Sequence, residues 1–164
     1  IEEKHLRKGL ETVSWEGRLE TVSSHPTVVL DCAHNEESVR NMTLELRENF
    51  KFSRCFVVLG LMQDKKIDEV IKILSQLGDH FSLVPINPPR GEAPDKLAEK
   101  LKIYNKPSQV FATVSNALQA VKQIANQNDL ICITGSIFLV AKAKEFFNDE
   151  NTFFNSGNTP LSSE

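Results

Sequence analysis

Short runs of uninterrupted apolar residues alternate along this chain with longer stretches in which apolar residues recur every three or four positions. Thr27-Val28-Val29-Leu30, Cys55-Phe56-Val57-Val58-Leu59 and Leu130-Ile131-Cys132-Ile133 are runs of the first kind. A strand covered on both faces has no polar side to show, so these runs predict central parallel strands. Between them Val39, Met42, Leu46 and Phe50, then Ile67, Val70, Ile71, Leu74 and Leu77, then Val114, Leu118, Val121 and Ile124 fall at helical spacing. Phe81-Ser82-Leu83-Val84 and Gln109-Val110-Phe111 predict two weaker strands, with a helix from about Ala93 to Leu101 between them and a last helix over Ile137 to Phe147.

Strand followed by helix, repeated, predicts an α/β fold: a mostly parallel sheet joined by right-handed crossovers, with helices on both faces. Arg18-Leu19-Glu20-Thr21-Val22, leading into Ser23-Ser24-His25-Pro26, predicts a hairpin that adds an antiparallel N-terminal edge strand. After Phe147 the residues turn polar and small, so residues 1–147 are expected to form one domain and residues 148–164 a flexible tail. With 164 residues, 40% hydrophobic and 25% charged, the chain has material for one core. The chain opens on Ile1 and is expected to be a fragment or a processed product.

A net charge of −3 offers no broad attraction for nucleic acid or an anionic membrane, and neither is expected as a partner. Cys32, Cys55 and Cys132 are an odd set lying in or beside apolar runs, which fits buried thiols in a reducing compartment. The N-terminus has no signal-peptide apolar region, and no stretch approaches the roughly 20 apolar residues of a membrane span. A cytoplasmic location is expected.

In an open α/β sheet, ligands gather beyond the carboxyl ends of the strands. There the first central strand runs into Asp31-Cys32-Ala33-His34-Asn35, the second into Gly60-Leu61-Met62-Gln63-Asp64-Lys65, and the last into Thr134-Gly135-Ser136. Each has an ordinary reading: Asp31 or Asn35 as a helix cap, His34 as a surface histidine, Gly135-Ser136 as a tight turn with a capping hydroxyl. No G-x-x-x-x-G-K-[ST] and no G-x-G-x-x-G occur, which excludes a self-contained P-loop enzyme or dinucleotide-binding dehydrogenase. His5, His25, His34, His80 and the cysteines lack zinc-ligand spacing, and no G-x-S-x-G nucleophile elbow occurs, so no metal site is expected here. Asp31 with Lys65 superficially suits a phospho-accepting receiver, but Ala33-His34-Asn35 speaks against it.

The ordered set Trp15-Glu16-Gly17-Arg18-Leu19-Glu20, Asp31-Cys32-Ala33-His34-Asn35, Leu59-Gly60 with Asp64-Lys65, Pro89-Arg90 and Thr134-Gly135-Ser136 resembles the C-terminal, Rossmann-like domain of folylpolyglutamate and dihydrofolate synthases. These are members of the Mur ligase superfamily, and the resemblance spans about residues 7 to 147. W-x-G-R-L-E followed by D-x-A-H-N is similar to the folate branch; the cell-wall ligases usually carry a tyrosine-containing second motif. Two positions depart from the pattern: Cys32 stands where the family usually has Gly, and Glu36 where it usually has Pro.

The resemblance implies a reaction in which ATP activates a folate or dihydropteroate carboxylate to an acyl phosphate, which the amine of L-glutamate attacks to give an amide, ADP and phosphate. It implies an N-terminal domain of the same polypeptide that carries the P-loop and the ligands for Mg2+, leaving this domain to close over the nucleotide and hold glutamate. The isolated chain is then expected to be inactive. By motif position, Arg18 contacts the nucleotide phosphates, Asp31 the ribose, and Asn35 orients that cluster. His34 lies beside the reacting centre, as catalytic group and glutamate contact, and Ser136 binds glutamate at a helix start. Lys65 and Arg90 are weaker candidates. Two other readings stay open: a cell-wall Mur-type ligase domain, and a catalytically silent nucleotide-binding or interaction module of the same fold.

Overall fold

Successive residues of the buried strands project to opposite sides of one sheet and create two cores. The computed structural model describes residues 2–11, 15–86 and 89–156. Its elements, in chain order, are α1 (Glu3–Glu11), β1 (Glu20–Ser24), β2 (Thr27–Asp31), α2 (Glu36–Asn49), β3 (Cys55–Leu59), α3 (Ile67–Leu77), β4 (His80–Leu83), α4 (Pro94–Lys102), β5 (Ser108–Val110), α5 (Val114–Ile124), β6 (Leu130–Thr134) and α6 (Ile137–Ser156). On one face Val29, Val57, Leu59 and Cys132 pack with Met42 and Leu46 of α2, Leu74 of α3 and Leu97 of α4. On the other, Val28, Phe56, Ile131 and Ile133 pack with Leu118 of α5 and Leu139 of α6. Complete burial of one such side chain is worth about 1.5–3 kcal/mol, so a one-residue slip of β3 or β6 would exchange the partners of both cores at once.

The strand order is β1-β2-β6-β3-β4-β5. Only β1 runs antiparallel, pairing Glu20 with Leu30 and Ser24 with Thr27, with a bulge at Val22. β6, last in the chain, lies between β2 and β3, so that Cys132 is flanked by Val29 and Val57. α2, α3 and α4 cover one face and α5 and α6 the other, and the change of direction leaves a crevice at the carboxyl ends of β2, β6 and β3.

The mostly parallel sheet, the antiparallel edge strand and the five central and C-terminal helices match the sequence pattern. Three details differ. Helix α1 follows Glu3-Lys4-His5-Leu6-Arg7, where an Arg7–Glu3 ion pair at one-turn spacing supports a polar helix that apolar periodicity does not reveal. β1 begins at Glu20, because Leu19 takes a left-handed conformation (φ 45°) that ends the extended run. α6 continues past Phe147 to Ser156, and residues 157–164 of the expected tail lie outside the described residues.

Candidate functional site

The segment carrying Arg18 is a tight turn fastened to the end of β2. Gly17 has φ 66°, and a Cβ there would stand 2.7 Å from Cys32 Sγ, so the position requires glycine. Cys32 N donates to Gly17 O at 2.9 Å, and Leu19 N donates to Asp31 Oδ2 at 2.9 Å. Asp31 Oδ1 accepts from Ala33 N at 2.8 Å, and the residue is only 5% exposed. Its carboxylate therefore braces the Arg18 turn and the β2–α2 loop together. Arg18 itself is exposed, and its guanidinium has no hydrogen bond or ion pair among the described residues. With Leu19, Asp31, Ser38 and Asn41 it lines a pocket of about 270 Å3. Burial, then the neighbouring Asp31 charge, raises the Cys32 thiol above its ordinary pKa, which keeps it protonated against Gly17.

His34 and Asn35 open α2. His34 Nδ1 lies 2.9 Å from Cys32 O; a carbonyl only accepts, so Nδ1 carries the hydrogen, which leaves Nε2 as the ring nitrogen that faces a ligand. Asn35 is the N-cap: its Oδ1 accepts from Ser38 N and from Ser38 Oγ, both at 2.9 Å. The ordinary reading of Asn35 thus holds for its oxygen, and only its Nδ2 is left to meet a ligand. Glu36, the departure at the helix start, pairs with Arg40 at 3.0 Å, which offsets its charge.

Ser136 is 4% exposed at the start of α6, where its Oγ accepts from Phe138 N at 3.2 Å. Gly135 before it has φ 106°, and a Cβ there would lie 2.5 Å from Gly60 O, so the loops after β6 and β3 touch through backbone. Gly135 N and Thr134 Oγ1 both donate to Ala33 O, at 2.9 and 3.1 Å, which joins the loop after β2 to the other two. The loop after β3 is stapled to that after β4: Gln63 N donates to Arg90 O and Gln63 Nε2 to Gly91 O, each at 3.0 Å. The result is a pocket of about 190 Å3 lined by His34, Lys65, Arg90, Gly135, Ser136 and Phe138 among others. Lys65 Nζ lies 3.0 Å from Asp64 and, as the largest influence, holds that carboxyl below its ordinary pKa. Asp64 lines the pocket too and offsets Lys65, so Arg90 and the helix N-terminus are what give it the character of a carboxylate or phosphate receptor.

The fold therefore joins His34 and Ser136 in one pocket with Lys65 and Arg90, and Arg18 and Asp31 in a neighbouring one. Asn35 lines neither. Among the described residues no group of three His, Cys, Asp or Glu side chains could hold a metal, and no helix is long and apolar enough to cross a membrane. Four residues that brace the site had no role assigned from sequence: Ser38, Gln63, Glu20 and Lys144. Ser38 was accessible as the N3 position after Asn35, and Glu20 as the last letter of W-x-G-R-L-E. Lys144 Nζ reaches Glu20 Oε1 at 2.8 Å from α6, a contact between distant segments that no local pattern carries.

Residues 17–137 match the family described as "Mur ligase, glutamate ligase domain". The chain is 30% identical over 145 residues to the dihydrofolate synthase/folylpolyglutamate synthase of Bacillus subtilis, covering 88% of this chain and 33% of that one. Escherichia coli FolC, solved in complex with ADP and without folate substrate, superposes with a TM-score of 0.85 at 27% identity, over 93% of this chain and 36% of that one. The Yersinia pestis bifunctional folylpolyglutamate synthase/dihydrofolate synthase complexed with AMPPNP and Mn ion gives 0.82 at 28%, over 90% and 35%. The chain spans about a third of the length of the Bacillus and Buchnera dihydrofolate synthase/folylpolyglutamate synthases it matches. On a family match that runs from the Arg18 turn to the start of α6, the chain belongs to the Mur ligase glutamate ligase domain family.

Proposed function

We propose that this domain works in an ATP-dependent ligase that adds L-glutamate to the carboxylate of a folate or dihydropteroate, contributing contacts to the nucleotide and to glutamate. The observation that carries this reading is the placement of two pockets side by side on one sheet edge: a basic one holding His34, Lys65, Arg90 and Ser136, and one holding Arg18 and Asp31. The unpaired Arg18 guanidinium suits phosphate oxygens, with which its planar fork makes charge-assisted bonds. Each Asp31 oxygen already receives one backbone amide, and its remaining lone pairs suit a ribose hydroxyl. The nucleotide and manganese in the Yersinia structure, together with the ADP in FolC, support ATP and a divalent cation, Mg2+, for the parent ligase. The donor set here does not suit that cation, so we assign its ligands to the P-loop domain.

In this reading the glutamate carboxylates lie against Ser136 and the first amides of α6, with Arg90 balancing their charge. The amine then faces the acyl carbon. The C–N bond forms as the bond from carbon to the phosphate oxygen breaks, phosphate leaves with that electron pair, and His34 Nε2 receives the amine proton. The three unpaired cysteines and these substrates support a cytoplasmic site of action.

The test is ADP release by a polypeptide joining this domain to its P-loop domain. Release that requires both L-glutamate and a folate or dihydropteroate is the expected result, and the 164-residue chain alone should give none. A joined protein that binds nucleotide but ligates nothing would establish the silent module instead.

A further inference from the structure

The ligase reading leaves unused a sheltered ion pair between α6 and the Arg18 turn. Lys144, two turns into α6, places Nζ 2.8 Å from Glu20 Oε1 and 3.1 Å from Glu16 Oε1. The Glu20 side chain is 18% exposed and that of Glu16 is 82%, so solvent screens the second contact and leaves the first to matter. The other oxygen of Glu20 accepts from Gly17 N at 2.8 Å. A continuous path thus runs from Lys144 through Glu20 to the backbone immediately before Arg18.

The turn needs such support. Gly17 and Leu19, on either side of Arg18, both have positive φ (66° and 45°), and for leucine that conformation is costly unless the surroundings fix it. Asp31 holds the turn from the β2 side through Leu19 N, and Lys144 with Glu20 holds it from the α6 side. The same helix opens at Ser136. We propose that Lys144 is a positioning residue which, through Glu20, keeps the Arg18 turn in its nucleotide-contacting form and ties that turn to the helix whose first residues face glutamate. The assignment rests on the ligase reading for what Arg18 contacts.

The experiment compares Lys144→Met, which keeps the apolar stem, Lys144→Arg and Glu20→Gln in the joined, full-length ligase. Lys144→Met should raise the KM for ATP about fivefold, with kcat and the KM for glutamate within about twofold of wild type. Lys144→Arg should restore the ATP value, and Glu20→Gln added to Lys144→Met should change it little further. An unchanged KM for ATP, an equal rise in both KM values, or failure of arginine to restore it would overturn the assignment. Should Lys144→Met not fold, Glu20→Gln alone carries the same expectation. Calorimetric binding of ADP separates the two readings: a wild-type protein that does not ligate, but whose ADP affinity falls about fivefold in Lys144→Met, would retain the positioning role and lose the ligase. Unchanged ADP affinity would remove the positioning role.

Discussion

Leu19 donates its backbone amide to Oδ2 of Asp31 at 2.9 Å, from a turn twelve residues earlier in the chain. The acidic residue assigned to the nucleotide is therefore also a brace for the loop that carries Arg18. Removing its carboxylate strips hydrogen bonds from Leu19 N and Ala33 N as well as from any ribose hydroxyl.

Asp31→Ala should accordingly change two readings at once. In the full-length ligase the KM for ATP should rise about tenfold, the equivalent of one lost charge-assisted bond of about 1.5 kcal/mol. The melting temperature should also fall, because buried or part-buried amides left without acceptors cost about 1–3 kcal/mol each. Steady-state kinetics with ATP varied, set beside thermal melts, separates these. A lower melting temperature with an unchanged KM would leave Asp31 as a brace only.

Ser136→Ala should raise the KM for glutamate about tenfold while leaving that for ATP near wild type. Loss of the cap on Phe138 N adds about 1 kcal/mol of destabilisation, which circular dichroism melts will register. Equal rises for both substrates would point to a shared effect on domain closure in place of a glutamate contact.

His34→Ala should lower kcat about a hundredfold, the scale of a lost proton acceptor, in contrast to the affinity changes at Asp31 and Ser136. Single-turnover measurements with all substrates saturating test this directly. A variant with normal single-turnover rate and a raised KM for glutamate would restrict His34 to binding.

Away from the site, Asp129 sets an acid dependence of stability. Its carboxylate receives the Arg54 guanidinium at 2.6 Å and the amide of Asn126 at 2.8 Å, and the Arg54 bond, above all, holds it below its ordinary pKa. A depressed folded-state pKa means that the stabilisation is present above the unfolded-state value and is lost as pH falls through the folded one. Asp129→Asn cannot titrate, so the gap in melting temperature between wild type and variant should be widest near neutrality and narrow below about pH 4. A gap independent of pH would show that Arg54 and Asp129 do not couple to folding in this way.

The sheet was legible because strands such as β3 and β6 are buried along their whole length and, but for Thr134 at the end of β6, show only apolar residues, which fixes their position without fixing their neighbours. The insertion of β6 between β2 and β3 depends on crossovers over opposite faces, which α/β alternation permits but does not dictate. At the site, the fold sets His34 and Ser136 in one pocket, a juxtaposition that the separate motifs do not state. They could not separate a ligand contact from a cap at Asn35, because the same amide suits both and only the Ser38 geometry decides its oxygen. Glu20 was visible as a letter without a partner; its meaning resides in Lys144, at the far end of the chain.

The central place of β6 also bears on synthesis. While the ribosome is still delivering α5, β2 and β3 each present a bare row of backbone donors and acceptors along the edge that Leu130–Thr134 will fill. Either row is a template for another nascent chain, and every earlier residue waits on five that emerge near the end. A product stopped just before Leu130 would hold most of the apolar residues and lack the strand that keeps them private, so premature termination there should yield aggregates and not a smaller folded domain.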